Sequence, residues 1–220
     1  MSGNQVVDVL IDFETLGGQD HNRAKAMVIE LAAIPFVFDP ETGRVPEFGE
    51  LIKQGFRVKF DLKSQKGNRI TDEDTRAWWV NQGESARAVL MPTAADVTVP
   101  EGMRRFGDWL QSLGLSRDSQ LWCRGQDFDI PIFYSCLHEA GVPRNVSVNF
   151  WNHRDIRTRI EAMLGRGITN CPIPKGKMPG FIKHNGIHDC AKDILSLFYS
   201  YRYAFGMEDI PTESEEKILR

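Results

Sequence analysis

The chain has 220 residues, 41% of them hydrophobic, and its 27 basic and 30 acidic side chains give a formal net charge of −3. This length and composition predict one full-sized folded domain and exclude wholesale disorder. No segment reaches the roughly 20 uncharged apolar residues that a membrane span needs. The first ten residues lack a basic region ahead of an apolar one, so we expect no secretory leader. Four well-separated cysteines argue against a zinc ribbon or a disulfide scaffold, and they favour a reducing cytoplasm.

Positive charge is concentrated between residues 53 and 69. This segment holds six basic residues and one acid, a local charge of +5, so the rest of the chain carries −8. A basic stripe on an acidic body suits a polyanionic partner held beside carboxylates. A solvated hairpin edge protected by lysines explains the same pattern equally well.

The N-terminal half predicts strands and then a helix. Residues 6–14 (VVDVLIDFE) alternate in polarity and predict a strand with carboxylates near its C-terminal end. Further strands are predicted at 28–38 and, broadly, at 48–60, which together make an antiparallel three-stranded meander. The acidic run at 71–74 predicts a helix start ahead of Trp78 and Trp79, of which only one can lie deep in a core.

The C-terminal half alternates helices with a short strand. We expect a strand at 121–124, a long loop at 165–186, and helices at 101–113, 127–140, 154–164 and 188–205. The acidic tail at 207–220 is expected to be frayed, which leaves residues 1–206 as one domain. A meander followed by this alternation predicts an α/β fold with a mixed sheet.

Asp12 and Glu14 are the first candidate site residues. They lie two apart on a predicted strand, so both carboxylates project from one face, as ligands of hard divalent ions do. A strand end that faces water is the ordinary alternative. Asp8 shares their face but lies near the start of the strand, and we expect it at the surface.

Asp129 opens a predicted helix directly after a strand, where α/β sites are commonly built. A first-turn charge that complements the helix dipole is the alternative role, and Asp127 is better suited to a simple N-cap.

His188 and Asp193 are five residues apart, about 140° around a helix. This spacing suits a histidine leaning over a site to which Asp193 supplies a ligand. Asp189, one turn before Asp193, is the competing ligand. His184 and His188 have zinc-like spacing, but without an adjacent Glu and a third ligand we reject zinc.

The motifs together resemble the DEDDh 3′→5′ exonucleases, through DFETLG (12–17), Phe128-Asp129 and His188 to Asp193. Longer segments are similar to the exonuclease A family of tailed bacteriophages: FDLKSQKG (60–67), WCRG (122–125), FWNHRDIRTRIEAML (150–164), CPIPKG (171–176) and IHDCAKDIL (187–195). The resemblance implies a ribonuclease H-like fold, with a mixed sheet flanked by helices, and removal of nucleotides from DNA 3′ ends.

The resemblance also implies two divalent cations, Mg²⁺ or Mn²⁺. Asp12, Glu14 and Asp193 would hold one ion, Asp129 would help to place the second, and His188 would be the general base. The expected substrate is single-stranded DNA, cut to 5′-mononucleotides in the host cytoplasm if the chain is phage-encoded, and no membrane or protein partner is implied.

Two other functions fit the same residues. An exoribonuclease or oligoribonuclease on this fold is one alternative, because recognition of the 2′-OH can depend on a single contact. A nucleic-acid-binding protein with a decayed active site is the other, and the five filled catalytic positions argue against it.

Substrate contacts are predicted around the carboxylates. Family analogy places Thr15 and Leu16 beside the terminal nucleotide. Five other residues would contact the substrate by stacking or by charge: Phe56, Lys59, Trp78, Arg154 and Arg157. Core packing is the alternative for Trp78, and surface pairing is the alternative for the two arginines.

Overall fold

A computed structural model describes residues 5–18, 22–143 and 148–214. Its centre is a five-stranded mixed sheet in the order β3-β2-β1-β4-β5. The strands are β1 (Asp8–Thr15), β2 (Val28–Phe36), β3 (Phe56–Lys59), β4 (Leu121–Cys123) and β5 (His153–Asp155). Strands β1, β2 and β3 pair antiparallel, whereas β4 and β5 run parallel to β1. The predicted α/β class and antiparallel meander are confirmed.

Helices cover both faces of this sheet. Within the described ranges they are α1 (Phe48–Gln54), α2 (Glu73–Val80), α3 (Glu84–Arg87), α4 (Val99–Ser112), α5 (Gln126–Ala140), α6 (Ile156–Leu164) and α7 (Gly186–Ala204). The predicted start of α2 is confirmed, because the Asp72 carboxylate accepts a hydrogen bond from Thr75 N at 2.7 Å.

Two element predictions were wrong. The third strand was expected across 48–60, but its first half is helix α1. Phe48 and Leu51 are three apart and both buried, which gives a helical rather than an alternating apolar face. The helix expected from Arg154 begins at Ile156 instead, because residues 153–155 pair with β4 as the edge strand β5.

The buried side chains of β1 alternate between two cores. Val9, Ile11 and Phe13 pack with α4 and α5, whereas Leu10 packs with α1, α6 and α7. Asp12 and Glu14 share the face of Leu10, because side chains two apart in a strand point the same way. The fold therefore directs both carboxylates toward α7, while the parallel strands β1 and β4 end at the same edge of the sheet.

Asp8 is buried, contrary to the surface position predicted for it. Its side chain is 6% exposed and accepts hydrogen bonds from Gln120 N at 2.8 Å and from Trp122 Nε1 at 3.1 Å. Burial raises the pKa of its carboxyl group, and these two donors act against that rise. Asp8 thus ties the start of β1 to β4, far from the acidic end of the strand.

The C-terminal segment is described as far as Ser214. Arg202 Nε pairs with Glu208 Oε1 at 2.5 Å, and Lys175 Nζ lies 3.4 Å from Glu213 Oε2. Residues 215–220 of the predicted tail lie outside the described residues. Among the helices that are described, none combines the length and the apolar character needed to cross a membrane.

Candidate active site

A cavity of about 520 Å³ opens at the carboxyl end of β1. Strand β1 contributes two carboxylates, α5 two and α7 two, and all six line the cavity: Asp12, Glu14, Asp127, Asp129, Asp189 and Asp193. Among the sequence-predicted catalytic and metal residues, Asp12, Glu14, Asp129 and Asp193 are therefore brought together here. Asp189, the competing ligand, lies with them.

Asp129 is held at the end of β1 by the backbone. Its Oδ1 accepts a hydrogen bond from Phe13 N at 3.2 Å, and the side chain is 4% exposed. Asp127 instead turns outward, where it is paired with Arg23. Gly125, not Asp127, occupies the N-cap of α5. The structure thus separates the two candidates and gives Asp129 the inward position.

Three groups come together at the mouth of this acidic cluster. One ligand atom each from Glu14, His184 and Asp189 lies within 4.8 Å of the others. His184 has a φ of +60°, a left-handed conformation that non-glycine residues seldom adopt. Its ring also lies 4.6 Å from the Trp78 ring, centroid to centroid. The strained backbone thus presents this imidazole to the cavity.

His188, the predicted general base, packs beside the loop that leads into α7. Its Nδ1 accepts a hydrogen bond from Ile182 N at 3.0 Å, and its ring lies 5.4 Å from Phe48 and 6.3 Å from Phe181. It does not line the acidic cavity. Burial and the nearby Arg57 lower its pKa. His188 therefore anchors the loop before α7 against α1.

Asp193 lies at the floor of the cavity in an ion pair. Arg124 Nε donates to its two oxygens at 2.8 and 2.9 Å, and Arg124 Nη2 lies 2.6 Å from Oδ1. The carboxylate that was predicted as a metal ligand is thus already bound by a guanidinium.

The other carboxylates are crowded. Burial raises the pKa of Asp12 and Glu14 well above the usual values, and neighbouring acids reinforce the rise. Burial also raises the pKa of Asp129 to about 7, although the Phe13 N–H and Arg157 act against it. Closely spaced oxygen donors whose mutual repulsion a cation would relieve are a suitable set for hard divalent ions. The residues present therefore fit the implied metal ions.

Positive and aromatic side chains surround the acidic floor. Arg23, Arg157, Lys183 and Lys192 line the same cavity, together with the 41%-exposed Trp78. The adjacent Trp79 is 1% exposed, and its indole donates to Thr15 O at 2.8 Å. This cationic and aromatic rim over carboxylates suits a phosphodiester with a base to stack.

Several predicted substrate residues lie elsewhere or are otherwise engaged. Phe56 packs 5.3 Å from both Phe106 and Trp109, and Lys59 Nζ lies 3.2 Å from Asp96 Oδ2. Arg154 Nη1 donates to the carbonyl of Trp151 at 2.8 Å, away from this cavity. Of the remaining predicted contacts, Thr15 is buried, Leu16 packs beside Trp79, and Trp78 and Arg157 line the cavity.

Two arginines of the basic segment 53–69 are paired within the fold. Arg57 pairs with Glu30 at 2.6 Å, and the buried Arg69 pairs with Glu139 at 2.9 Å. These two arginines are therefore neutralised by carboxylates within the fold, whereas Lys53, Lys63 and Lys66 of the same segment are exposed.

Sequence reasoning missed Glu30 and considered His184 only as half of a rejected zinc pair with His188. Glu30 is 1% exposed and stands opposite Glu14 in the β1–β2 register. A charged residue inside the otherwise apolar strand VIELAAIPF was the available signal. For His184, the signal was a second His–Asp pair five apart, His184 and Asp189, which overlaps the pair formed by His188 and Asp193.

Comparisons with known proteins agree with this geometry. Residues 7–195 match the family described as the 3′-5′ exoribonuclease Rv2179c-like domain. The chain is 45% identical over 221 residues to a protein of Enterobacteria phage T4 named exodeoxyribonuclease, covering 94% of this chain and 95% of that one.

Solved structures share the fold at low sequence identity. Cell-death related nuclease 4 (CRN-4) superposes with a TM-score of 0.53 at 16% identity, covering 91% of this chain and 64% of that one. E. coli exonuclease I in complex with a dT13 oligonucleotide superposes with a TM-score of 0.50 at 16% identity, covering 90% and 41%. The predicted resemblance and fold are confirmed, and the chain belongs to the 3′-5′ exoribonuclease Rv2179c-like family of nucleases.

Proposed function

We propose that the chain is a metal-dependent 3′→5′ exonuclease that releases 5′-mononucleotides from single-stranded DNA. The observation that carries this proposal is the meeting of Glu14, His184 and Asp189 beside Asp12 and Asp129, at the end of the central strand. Two functions are combined there: oxygen donors for cations, and an imidazole that can accept a proton. Residues 1–206 would form the single exonuclease domain.

Asp12, Glu14, Asp129 and Asp193 would hold the divalent ions in this proposal, and Asp189 is the competing ligand. When bound, the ions would neutralise charge on the scissile phosphate and acidify water. Arg124 donates to the Asp193 carboxylate in this structure, and Asp189 lines the same cavity.

The general base would be an imidazole at or just before the start of α7: His184, which lines the acidic cavity, or His188, which the sequence predicted. It would accept a proton from the attacking water as the water oxygen bonds to phosphorus and the P–O3′ bond breaks. Imidazole is the side chain that most often accepts and donates protons in catalysis near neutral pH. Arg157, Lys183 and Lys192 line the cavity and would bind the flanking phosphates.

DNA is the proposed substrate because the relative that matches 94% of the chain is named an exodeoxyribonuclease. The family description names an exoribonuclease, which keeps RNA as the second candidate. The phage origin of the relative makes the cytoplasm of an infected bacterium the expected setting.

A gel time course tests the activity and compares the rates at which DNA and RNA are cleaved. Single-stranded DNA and RNA of one sequence, labelled at the 5′ end, would be incubated with Mg²⁺, Mn²⁺ or EDTA. The wild-type protein should shorten DNA from the 3′ end only when metal is present. The Asp12→Asn variant should leave the DNA intact even with metal. The control variant Asp127→Asn, altered at the exposed rim, should shorten DNA as the wild type does. Faster shortening of RNA would overturn the DNA preference. Intact substrate in every lane, with a gel shift retained, would make the protein a binding protein.

A further inference from the structure

Helix α7 begins without a capping side chain of its own. Asn185 occupies the N-cap position, but its side chain makes no capping hydrogen bond, and Asn185 Oδ1 is buried with no hydrogen-bond partner among the described residues. The first N–H groups of an α-helix lack partners within the helix, and a side-chain oxygen commonly accepts from them. Because Gly186 and Ile187 are buried, this helix start needs an acceptor from another part of the fold.

Glu30 reaches the start of α7 from β2. It shares the strand face of Ala32 and Ile34, which belong to the core that α7 helps to form. The Glu30 side chain is 1% exposed. A β-carbon built on Gly186 would lie 3.1 Å from Glu30 Oε1 and 3.0 Å from the Ala32 β-carbon. The first residue of α7 is thus packed directly against this buried carboxylate.

The two oxygens of Glu30 have different surroundings. Arg57 Nε donates to Oε2 at 2.6 Å, whereas Oε1 makes no hydrogen bond of ordinary geometry within the described ranges. The Gly186 backbone N–H acts on the carboxylate and opposes the rise in its pKa that burial causes. Oε1 is therefore the acceptor left open at the start of α7, and its negative charge complements the positive end of the helix dipole.

The position of Gly186 affects groups in the candidate active site. His184 precedes Gly186 by two residues, and His188 follows it by two. Glu30 itself stands opposite Glu14 in the β1–β2 register. A group that holds Gly186 against β2 therefore sets the distance between these imidazoles and the carboxylates of β1.

We propose that Glu30 is a positioning residue that caps α7 from β2. Its Oε1 accepts from the first N–H groups of the helix, while Arg57 balances its charge. The cap aligns the start of α7 with Asp12 and Glu14, and Glu30 itself contacts neither the substrate nor the reacting atoms. This inference deepens the exonuclease proposal and rests on it for its kinetic readout.

Three variants of the full chain test this cap. Glu30→Met keeps a similar side-chain length but offers no oxygen, and Glu30→Gln keeps an acceptor without the charge. Glu139→Gln is the matched control, because Glu139 pairs with Arg69 at 2.9 Å in an ion pair that includes neither β2 nor α7. Hydrogen exchange of the metal-free protein, followed by mass spectrometry in peptides that cover residues 186–193, would report on the start of α7. Steady-state kinetics on single-stranded DNA would give kcat and KM.

We expect Glu30→Met to exchange about tenfold faster across residues 186–193, as loss of a helix cap does. Its kcat should fall about 100-fold with KM little changed, because a displacement of about 1 Å is enough for such a loss. Glu30→Gln should be partly rescued, with kcat within about tenfold of the wild type, since an amide oxygen still caps a helix. Glu139→Gln should leave both the exchange of this segment and kcat unchanged.

Wild-type exchange or wild-type kcat in Glu30→Met would overturn the proposal, because a residue that serves stability alone would lower only the melting temperature. Equal losses in Glu30→Met and Glu30→Gln would also overturn it, since only Gln retains the acceptor. If Glu30→Met does not fold, Glu30→Gln decides: faster exchange with a lower kcat supports the cap, and a wild-type value of either refutes it. Hydrogen exchange needs no nucleic acid, so it tests the cap separately from the exonuclease proposal, which inactivity of the wild type would refute.

Discussion

Gly186 lies directly against Glu30, across the junction between β2 and the start of α7. A β-carbon built on Gly186 would stand 3.1 Å from Glu30 Oε1, 3.0 Å from the Ala32 β-carbon and 3.3 Å from Asp12 Oδ2. Burial raises the pKa of Glu30, while the Arg57 guanidinium and the Gly186 backbone N–H act against that rise. This close approach places the backbone between His184 and Asp189 beside the carboxylates of β1.

Gly186→Ala should therefore impair catalysis more than folding. The added methyl group must displace the segment that carries His184 and Asp189, and a misplacement of about 1 Å can lower kcat about 100-fold. Steady-state kinetics on single-stranded DNA would measure this. Gly49→Ala is the matched control, because a β-carbon on Gly49 meets nothing within 4 Å. Equal kcat in the two variants would contradict the positioning of this segment.

The two histidines should separate clearly on substitution. His184→Ala should lower kcat about 10²–10⁴-fold, the range for loss of a general base, with the melting temperature little changed. His188→Ala should keep kcat within a few fold and lose stability, because it removes the contacts with Phe48 and Ile182. Kinetics and thermal unfolding of both variants would check this. The reverse pattern would identify His188 as the general base.

These residues also show what the sequence could predict and where it became ambiguous. Alternation along β1 was enough to place Asp12 and Glu14 on one face, because strand periodicity is a local property. The segment 184–193 contains two overlapping His–Asp pairs of equal spacing, and only the packing of His188 against Phe48 separates them. The spacing of these residues along the sequence does not reveal that tertiary contact.

The burial of Glu30 and the presence of helix α1 could not be predicted from the sequence, for similar reasons. The partners of Glu30 come from β3 and from α7, so its burial depends on contacts distant in sequence. Residues 48–60 contain a short helix followed by a short strand, and their mixed apolar pattern was interpreted with a single period. The ion pairs of the basic segment likewise depend on distant partners such as Glu139.

The two adjacent tryptophans should also have different roles. Trp79→Ala should destabilise the protein by about 3–5 kcal/mol, the usual cost of emptying a large buried site, because its side chain is 1% exposed. Trp78→Ala should leave the free energy of unfolding within about 0.5 kcal/mol and raise KM, because the exposed ring lines the cavity. Denaturant unfolding and steady-state kinetics would measure the two effects. A Trp78 variant with unchanged KM would remove this ring from the substrate site.

The pH dependence of stability should reveal the crowded carboxylates. In metal-free protein the pKa values of Asp12, Glu14 and Asp129 are raised, that of Asp129 to about 7. The folded state then binds more protons than the unfolded state between about pH 4, the ordinary carboxyl pKa, and pH 7. Stability from these groups is therefore present at low pH and is lost as the pH rises through the folded-state values.

Metal-free protein should thus melt at a lower temperature at pH 8 than at pH 6, and Mg²⁺ should raise the melting temperature more at pH 8, where fewer protons compete with it. Thermal unfolding in EDTA and in Mg²⁺ across this range would measure both trends. Asp129→Asn should flatten the metal-free profile, because an amide does not titrate. Asp127→Asn, at the exposed rim, is the matched control and should leave the profile unchanged. A metal-free melting temperature that rises from pH 6 to pH 8 would mean that these carboxylates are ionised without a cation.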